Sequence, residues 1–135
     1  MCTYATVRAE VDGLRLHHLD ERSGATVVCF HGDTSWSFLY RHMLDRFVQT
    51  WHRVVCPDLV GFSRSDKPTD QSWYTYARHV DMVTRHLDQI ELEDVTVVVQ
   101  DWGGPIGLRW AVEHADLVGR LVVLNRGLFT GRVSK

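Results

Sequence analysis

The chain has 135 residues, of which 44% are hydrophobic and 24% charged, which is typical of one globular domain. The formal net charge is −2 and no basic block occurs, so neither nucleic acid nor a membrane surface is expected as a partner. No apolar run is long enough to span a membrane, and the first ten residues lack the apolar core of a secretion signal. We therefore expect a cytoplasmic protein.

Hydrophobic periodicity predicts alternating strands and helices. The predicted elements are, in chain order, a hairpin of strands 6–11 and 14–19 around an Asp12-Gly13 turn, strand 26–30, helix 36–49, strand 53–56, a loop over 58–72, helix 74–90, strand 95–99, helix 105–115 and strand 121–124. The later strands are apolar throughout, which is typical of parallel strands buried on both faces. The sequence thus predicts an α/β fold, with a mostly parallel sheet that opens with an antiparallel hairpin.

The cysteines and histidines do not form a metal-ligand pattern. Cys29 and Cys56 lie within apolar strand-like runs and no CxxC pair occurs, so we expect buried free thiols. The eight histidines are scattered without the spacing of a metal site, and we expect them on the surface and in loops. No metal or other cofactor is predicted.

Unusual residues gather where the predicted strands end. They are His31-Gly32-Asp33, Pro57-Asp58, Gln100-Asp101-Trp102 and Asn125. In open α/β sheets, ligands bind beyond the carboxyl ends of the strands, so these residues mark the expected site.

The stretch VVVQDWGG, residues 97–104, places Asp101 at the end of a buried strand, where a carboxylate is costly to desolvate. Asp101 could cap the helix that follows, since aspartate is a favoured N-cap residue. Alternatively, Gly103, Gly104 and Gly107 would allow the sharp strand–turn–helix junction of a nucleophile elbow, with aspartate in the place of the usual serine. The sequence around the junction favours the elbow.

A carboxylate nucleophile has a definite chemistry. It is already anionic at neutral pH and can displace a good leaving group from saturated carbon, which forms an ester on the enzyme. Hydrolysis of that ester needs two N–H donors at its carbonyl oxygen, and the backbone amides of Asp33 and Trp102 are placed to supply them. The indole of Trp102 could simply cover the site, or its N–H could hold a departing halide.

These residues resemble the haloalkane dehalogenases of the α/β-hydrolase fold, in particular the subfamily with a Gln-Asp-Trp-Gly-Gly elbow. The matching segments are LRLHHLDE (14–21), HGDTSWSFLYRHM (31–43), HRVVCPDLVGFSRSDKP (52–68), YTYARHV (74–80), VVVQDWGGPIGLR (97–109) and VLNRGLFTG (123–131). They follow the order of the family over nearly the whole chain.

The resemblance implies that Asp101 is the nucleophile and that Trp102 is one of two halide donors. The amides of Asp33 and Trp102 would form the oxyanion hole. Asn125 and the acid at position 33 resemble the subfamily whose catalytic acid comes later in the chain and whose second halide donor comes from the cap. The substrates implied are a small haloalkane and water, cleaved to an alcohol and a halide, by a protein expected to be monomeric when complete.

Three positions depart from the family pattern. Thr34 stands where a proline is usual, Ser63 stands where the second glycine of a Gly-Phe-Gly turn is usual, and Arg126 stands where a small polar residue is common. Without that proline and that glycine, the mouth of the site would be looser.

The family also continues beyond this length, with a helical cap, further core strands, the acid and the histidine base. We interpret residues 1–135 as the N-terminal part of a single core domain, truncated before the cap and the last strands. We expect little or no turnover from these residues alone, because water activation needs the missing base.

Two alternatives stay open. An epoxide hydrolase uses the same aspartate elbow and ester logic, with cap tyrosines that activate the leaving oxygen. The chain could instead be a non-catalytic remnant. A serine esterase is excluded, since the elbow holds no serine.

Overall fold

The computed structural model describes residues 4–21 and 24–125. The strands of the described part are β1 (Thr6–Val11), β2 (Leu14–Glu21), β3 (Thr26–Phe30), β4 (Arg53–Pro57), β5 (Val95–Gln100) and β6 (Val118–Leu124). The α-helices are α1 (Arg41–Gln49), α2 (Tyr76–Leu87) and α3 (Gly103–Glu113), and two 3-10 turns cover Ser37–Tyr40 and Gln71–Trp73. Within these residues, no helix combines the length and the apolar character that a bilayer crossing requires.

The strands form one mixed sheet in the order β1-β2-β4-β3-β5-β6. β1 pairs antiparallel with β2, and β2 antiparallel with β4. The remaining pairs, β4 with β3, β3 with β5 and β5 with β6, are parallel. The predicted α/β class, with an antiparallel hairpin ahead of a parallel sheet, is confirmed.

Successive residues of the central strands pack on opposite faces of the sheet, as the pleat requires. Val28 and Val55 belong to the core beneath α2 and α3, and Val27 and Val54 belong to the core beneath α1. All four side chains are almost fully buried. This two-sided burial explains why β3 and β4 are apolar beyond their first residues.

The predicted helix over 36–49 is divided. A 3-10 turn covers Ser37–Tyr40, and α1 begins only at Arg41. Two buried hydrogen bonds hold the turn: the backbone N–H of Ser37 donates to Asp58 at 2.9 Å, and the hydroxyl of Tyr40 donates to the carbonyl of Phe30 at 2.6 Å. These distant partners draw the segment onto the sheet, which periodicity alone does not reveal.

The expectation that the histidines lie on the surface and in loops is wrong for four of them. His17, His18, His31 and His86 are each at most 2% exposed. They are tolerated because their rings find polar partners: His17 Nδ1 lies 2.7 Å from Asp58, and His18 Nδ1 lies 2.7 Å from Nε2 of His86. The last pair ties β2 to α2.

The His18–His86 pair should make the fold sensitive to acid. Burial lowers the pKa of His86 from 6.5 to about 4, so between these pH values the unfolded chain binds more protons than the folded one. Stability from this group is complete above pH 6.5 and is lost as the pH falls towards 4, a change of about 3 kcal/mol. Urea unfolding between pH 7 and pH 4 should show this decline.

The variant His86→Gln tests the assignment, since an amide can still donate to His18 but cannot take up a proton. We expect a weaker dependence of the unfolding free energy on pH in this variant. His42→Gln, which changes an exposed histidine of α1, should keep the original dependence. Equal slopes in all three proteins would refute the role of His86.

The turn after β4 carries strain at Ser63, whose φ of +45° lies in the left-handed region. A side chain in this conformation costs roughly 1 kcal/mol, and glycine at position 63 would remove that cost. Glycine also gives the unfolded chain more conformational entropy, which offsets part of the stabilisation. We expect Ser63→Gly to raise the free energy of unfolding by about 0.5 kcal/mol. Chemical denaturation measures the change, and Ser63→Ala, which keeps the Cβ, should give no stabilisation.

Candidate active site

Asp101 lies in the sharp turn between β5 and α3, with a φ of +49°. Aspartate enters this left-handed region more readily than most residues. The left-handed conformation reverses the chain within two residues. The turn also needs Gly103, because a Cβ at this position would lie 2.3 Å from the carbonyl oxygen of Phe30. The junction therefore brings the start of α3 directly against the end of β3.

The carboxylate of Asp101 does not cap α3. The N-cap residue is Trp102, and no side chain makes a capping hydrogen bond there. Instead, Oδ2 of Asp101 accepts the backbone N–H of Asp33 at 3.1 Å. A Cβ on Gly32 would lie 2.5 Å from the Cβ of Asp101, so the loop after β3 can reach this carboxylate only with glycine at position 32. The capping interpretation is wrong.

His31 holds this loop in place. Its Nε2 accepts the backbone N–H of Leu59 at 2.9 Å, so the ring proton must sit on Nδ1, which donates to the carbonyl of Gly32 at 2.8 Å. Burial lowers the pKa of His31, although the bond to Gly32 opposes the shift, and the ring stays neutral at pH 7. The neutral imidazole thus connects the loop after β3 to the loop after β4.

Asp58 fixes the other side of the same loop. Its Oδ1 accepts the backbone N–H of Ser37 at 2.9 Å, and its Oδ2 lies 2.7 Å from Nδ1 of His17. Burial alone would raise the pKa of Asp58, but the hydrogen bonds from His17 and Ser37 outweigh it and the pKa is lowered. A charged, fully bonded carboxylate beneath the loop restricts its movement.

Trp102 stands at the mouth of the site and is 49% exposed. It borders a cavity of about 370 Å³, together with Asp33 from the loop after β3. The rest of the lining comes mostly from residues around the start of α2 and from the loop after β4; they include Phe62, Tyr74, Tyr76 and His79. The volume falls within the range of small-molecule sites.

One of the positions that depart from the family pattern, Thr34, also lies at this edge. Thr34 has a φ of +58°, a backbone conformation that proline cannot adopt, since its ring fixes φ near −65°. Proline at position 34 would therefore not fit the backbone of this loop. Asn125, after β6, is exposed and has a φ of +45°, whereas Arg126 lies outside the described residues.

The structure brings Asp101, Trp102 and Asp33 together, as the sequence predicts, while their catalytic roles remain predictions. The anchoring roles of His31 and Asp58 were missed, although both stand at strand ends that the sequence marks. Tyr74, Tyr76 and His79 were missed as cavity residues, because residues 74–90 carry only an amphipathic helix pattern. No sequence signal indicated which way this segment faces.

Comparison with known proteins agrees with this geometry. A haloalkane dehalogenase of Mycobacterium marinum is 48% identical over 121 residues, which cover 88% of this chain and 41% of that protein. The tetrameric haloalkane dehalogenase DpaA of Paraglaciecola agarilytica superposes with a TM-score of 0.84 at 35% identity, over 87% of this chain and 42% of its own. An epoxide hydrolase variant of Vigna radiata gives a TM-score of 0.82 at 28% identity, over 91% of this chain and 39% of its own.

The chain thus spans about two fifths of the length of these relatives. The sequence profile of the α/β hydrolase fold matches residues 25–130, which include the whole elbow and the loop that contacts it. The chain belongs to the α/β hydrolase fold family.

Proposed function

We propose that these residues carry the nucleophilic half of a haloalkane dehalogenase, which hydrolyses carbon–halogen bonds through an ester on Asp101. The observation that carries the proposal is the contact of 3.1 Å between the Asp33 N–H and Oδ2 of Asp101. A donor at this place leaves Oδ1 as the attacking atom. The 48% identity to the Mycobacterium marinum haloalkane dehalogenase supports the choice of a halide as leaving group.

In the first step, Oδ1 of Asp101 forms a bond to the carbon that bears the halogen, and the halide leaves with the bonding electron pair. The indole N–H of Trp102, a donor without acceptor character, would hold the halide as its charge develops. Because the carboxylate is already anionic at neutral pH, no base is needed for this step.

In the second step, water attacks the ester carbonyl, and the negative charge moves to Oδ2. The N–H of Asp33 already points at this oxygen, and the amide of Trp102 would be the second donor. Within residues 4–21 and 24–125, no histidine ring hydrogen-bonds to Asp101. We therefore expect the ester to form faster than it is hydrolysed in the 135-residue chain.

The proposal extends to the organisation and setting of the protein. Because the relatives match over two fifths of their length, residues 1–135 would be the N-terminal part of one core domain. The free thiols of Cys29 and Cys56 are consistent with a reducing compartment, the cytoplasm. The substrates would be a small haloalkane and water.

The proposed function predicts a covalent adduct. Incubation of the purified chain with 1-bromobutane should add one butyl group, found on Asp101 by intact-mass analysis and peptide mapping. Asp101→Asn should give no adduct, because an amide is not a nucleophile under these conditions. Asp116→Asn removes an exposed carboxylate between α3 and β6, and this variant should react like the parent chain.

A terminal epoxide supplies the competing test, since the structural likeness to the epoxide hydrolase favours that alternative. An adduct on Asp101 from the epoxide, with none from the bromide, would replace the proposed function by epoxide hydrolysis. A folded chain that reacts with neither reagent would support the interpretation as a non-catalytic remnant.

The proposed function also leads to a prediction about the contact that aligns the nucleophile. In Gly32→Ala the new methyl carbon would lie 2.7 Å from Oδ2 of Asp101, so the carboxylate must move away from the Asp33 amide. We expect the rate of ester formation to fall at least tenfold, which corresponds to about 1.4 kcal/mol of barrier height. Circular dichroism should show the parent fold, and an unchanged rate would show that this alignment is not used.

A further inference from the structure

The cavity beside the nucleophile has an aromatic lining. Phe62, Tyr74, Tyr76 and Trp102 all border it, and Tyr76 and Trp102 are nearly half exposed. Aromatic rings present negative faces, which attract cations as well as apolar groups. A volume of about 370 Å³ is at the small end of the range for ligand sites, so the occupant would be a compact molecule.

The charged residue among those that line the cavity is an acid. Asp33 is part of the lining and its backbone touches Asp101, so two carboxylates stand at this edge. Among the described residues that line the cavity there is no lysine or arginine. His79 is the remaining titratable imidazole, and burial lowers its pKa, which leaves it neutral at pH 7.

The carboxylate of Asp33 is also available to a ligand. Its Oδ1 accepts the backbone N–H of Thr34 at 2.8 Å, and the residue is exposed. Within the described part of the chain, it forms no ion pair with a lysine, arginine or histidine side chain. An acid that lines the same cavity as several aromatic side chains is the chemistry that recognises alkylammonium groups.

We propose that this cavity binds a small organic cation, and that the substrates of the site include haloalkylammonium ions. The second part rests on the proposed function. The ammonium group would lie between the Asp33 carboxylate and the aromatic rings, with its haloalkyl arm directed to Asp101.

The covalent chemistry is the same as for a neutral haloalkane. A bond forms between Oδ1 of Asp101 and the carbon, the carbon–halogen bond breaks, and the halide leaves with the electron pair while the ammonium group is unchanged. The bound cation has an electrostatic consequence. It offsets the charge of Asp33, which would otherwise oppose the halide that develops nearby.

The test compares choline with 3,3-dimethylbutan-1-ol, a neutral molecule of nearly the same shape. Their binding to the 135-residue chain is measured by ligand-observed NMR titration, without any turnover. We expect choline to bind about tenfold more tightly, and we expect the difference to shrink at high salt. Equal affinities for the two molecules would overturn the proposal.

Matched variants locate the effect. Asp33→Asn keeps the backbone N–H and the side-chain size, and it should abolish the preference for choline. Asp116→Asn changes the net charge by the same amount at an exposed position and should retain the preference. A preference that survives Asp33→Asn would overturn the proposed role of this carboxylate.

A second variant tests the rings. Tyr76→Leu removes one aromatic face but leaves an apolar side chain, so choline should lose affinity severalfold while the neutral alcohol changes little. An equal loss for both molecules would indicate altered packing and contradict the cation–ring contact.

The outcome is separable from that of the proposed function. A preference for choline in a chain that forms no adduct with bromoalkanes would support the cation site and refute the carbon–halogen chemistry. A butyl adduct on Asp101 with no preference for choline would do the reverse.

Discussion

The contact between two chain reversals, one after β3 and one after β5, is the constraint on which the rest of the site depends. The parallel pairing of β3 with β5 ends both strands at the same edge of the sheet, where the Asp33 amide meets the Asp101 carboxylate. Backbone atoms can approach this closely only without a Cβ at Gly32 and Gly103. The left-handed backbone at Asp101 belongs to the same constraint. An extended backbone at this residue would carry its carboxylate away from the Asp33 amide.

The amide is useful as a donor only if its loop is stiff, and the stiffness comes from buried polar groups. The neutral ring of His31 joins the loop to the Leu59 amide, and the carboxylate of Asp58 receives the Ser37 amide from below. Such polar groups are costly to bury unless they are hydrogen-bonded. A movement of the loop would break these hydrogen bonds and leave buried polar groups unpaired, so it is disfavoured. The Asp33 donor is thus oriented before a substrate arrives, which is the condition that the proposed stabilisation of an ester intermediate requires.

The sequence predicts the order and type of nearly every element, because continuous apolar strands and amphipathic helices leave strong periodic signals. It also predicts the meeting of Asp33 with Asp101, since both follow parallel strands. It does not predict the buried pair of His18 and His86, nor the 3-10 turn at Ser37–Tyr40, because these depend on partners ten or more residues away. Local patterns describe which residues are polar, but burial of a polar residue is decided by the partner that tertiary structure supplies.

Asp33 illustrates how one position can serve two tasks without conflict. Its backbone N–H donates to the Asp101 carboxylate, and the residue also lines the cavity. The amide is present whatever the side chain, so the carboxylate can change without loss of the donor to Asp101. In the proposed scheme, selection of the substrate by charge and stabilisation of the intermediate are therefore separable at this residue.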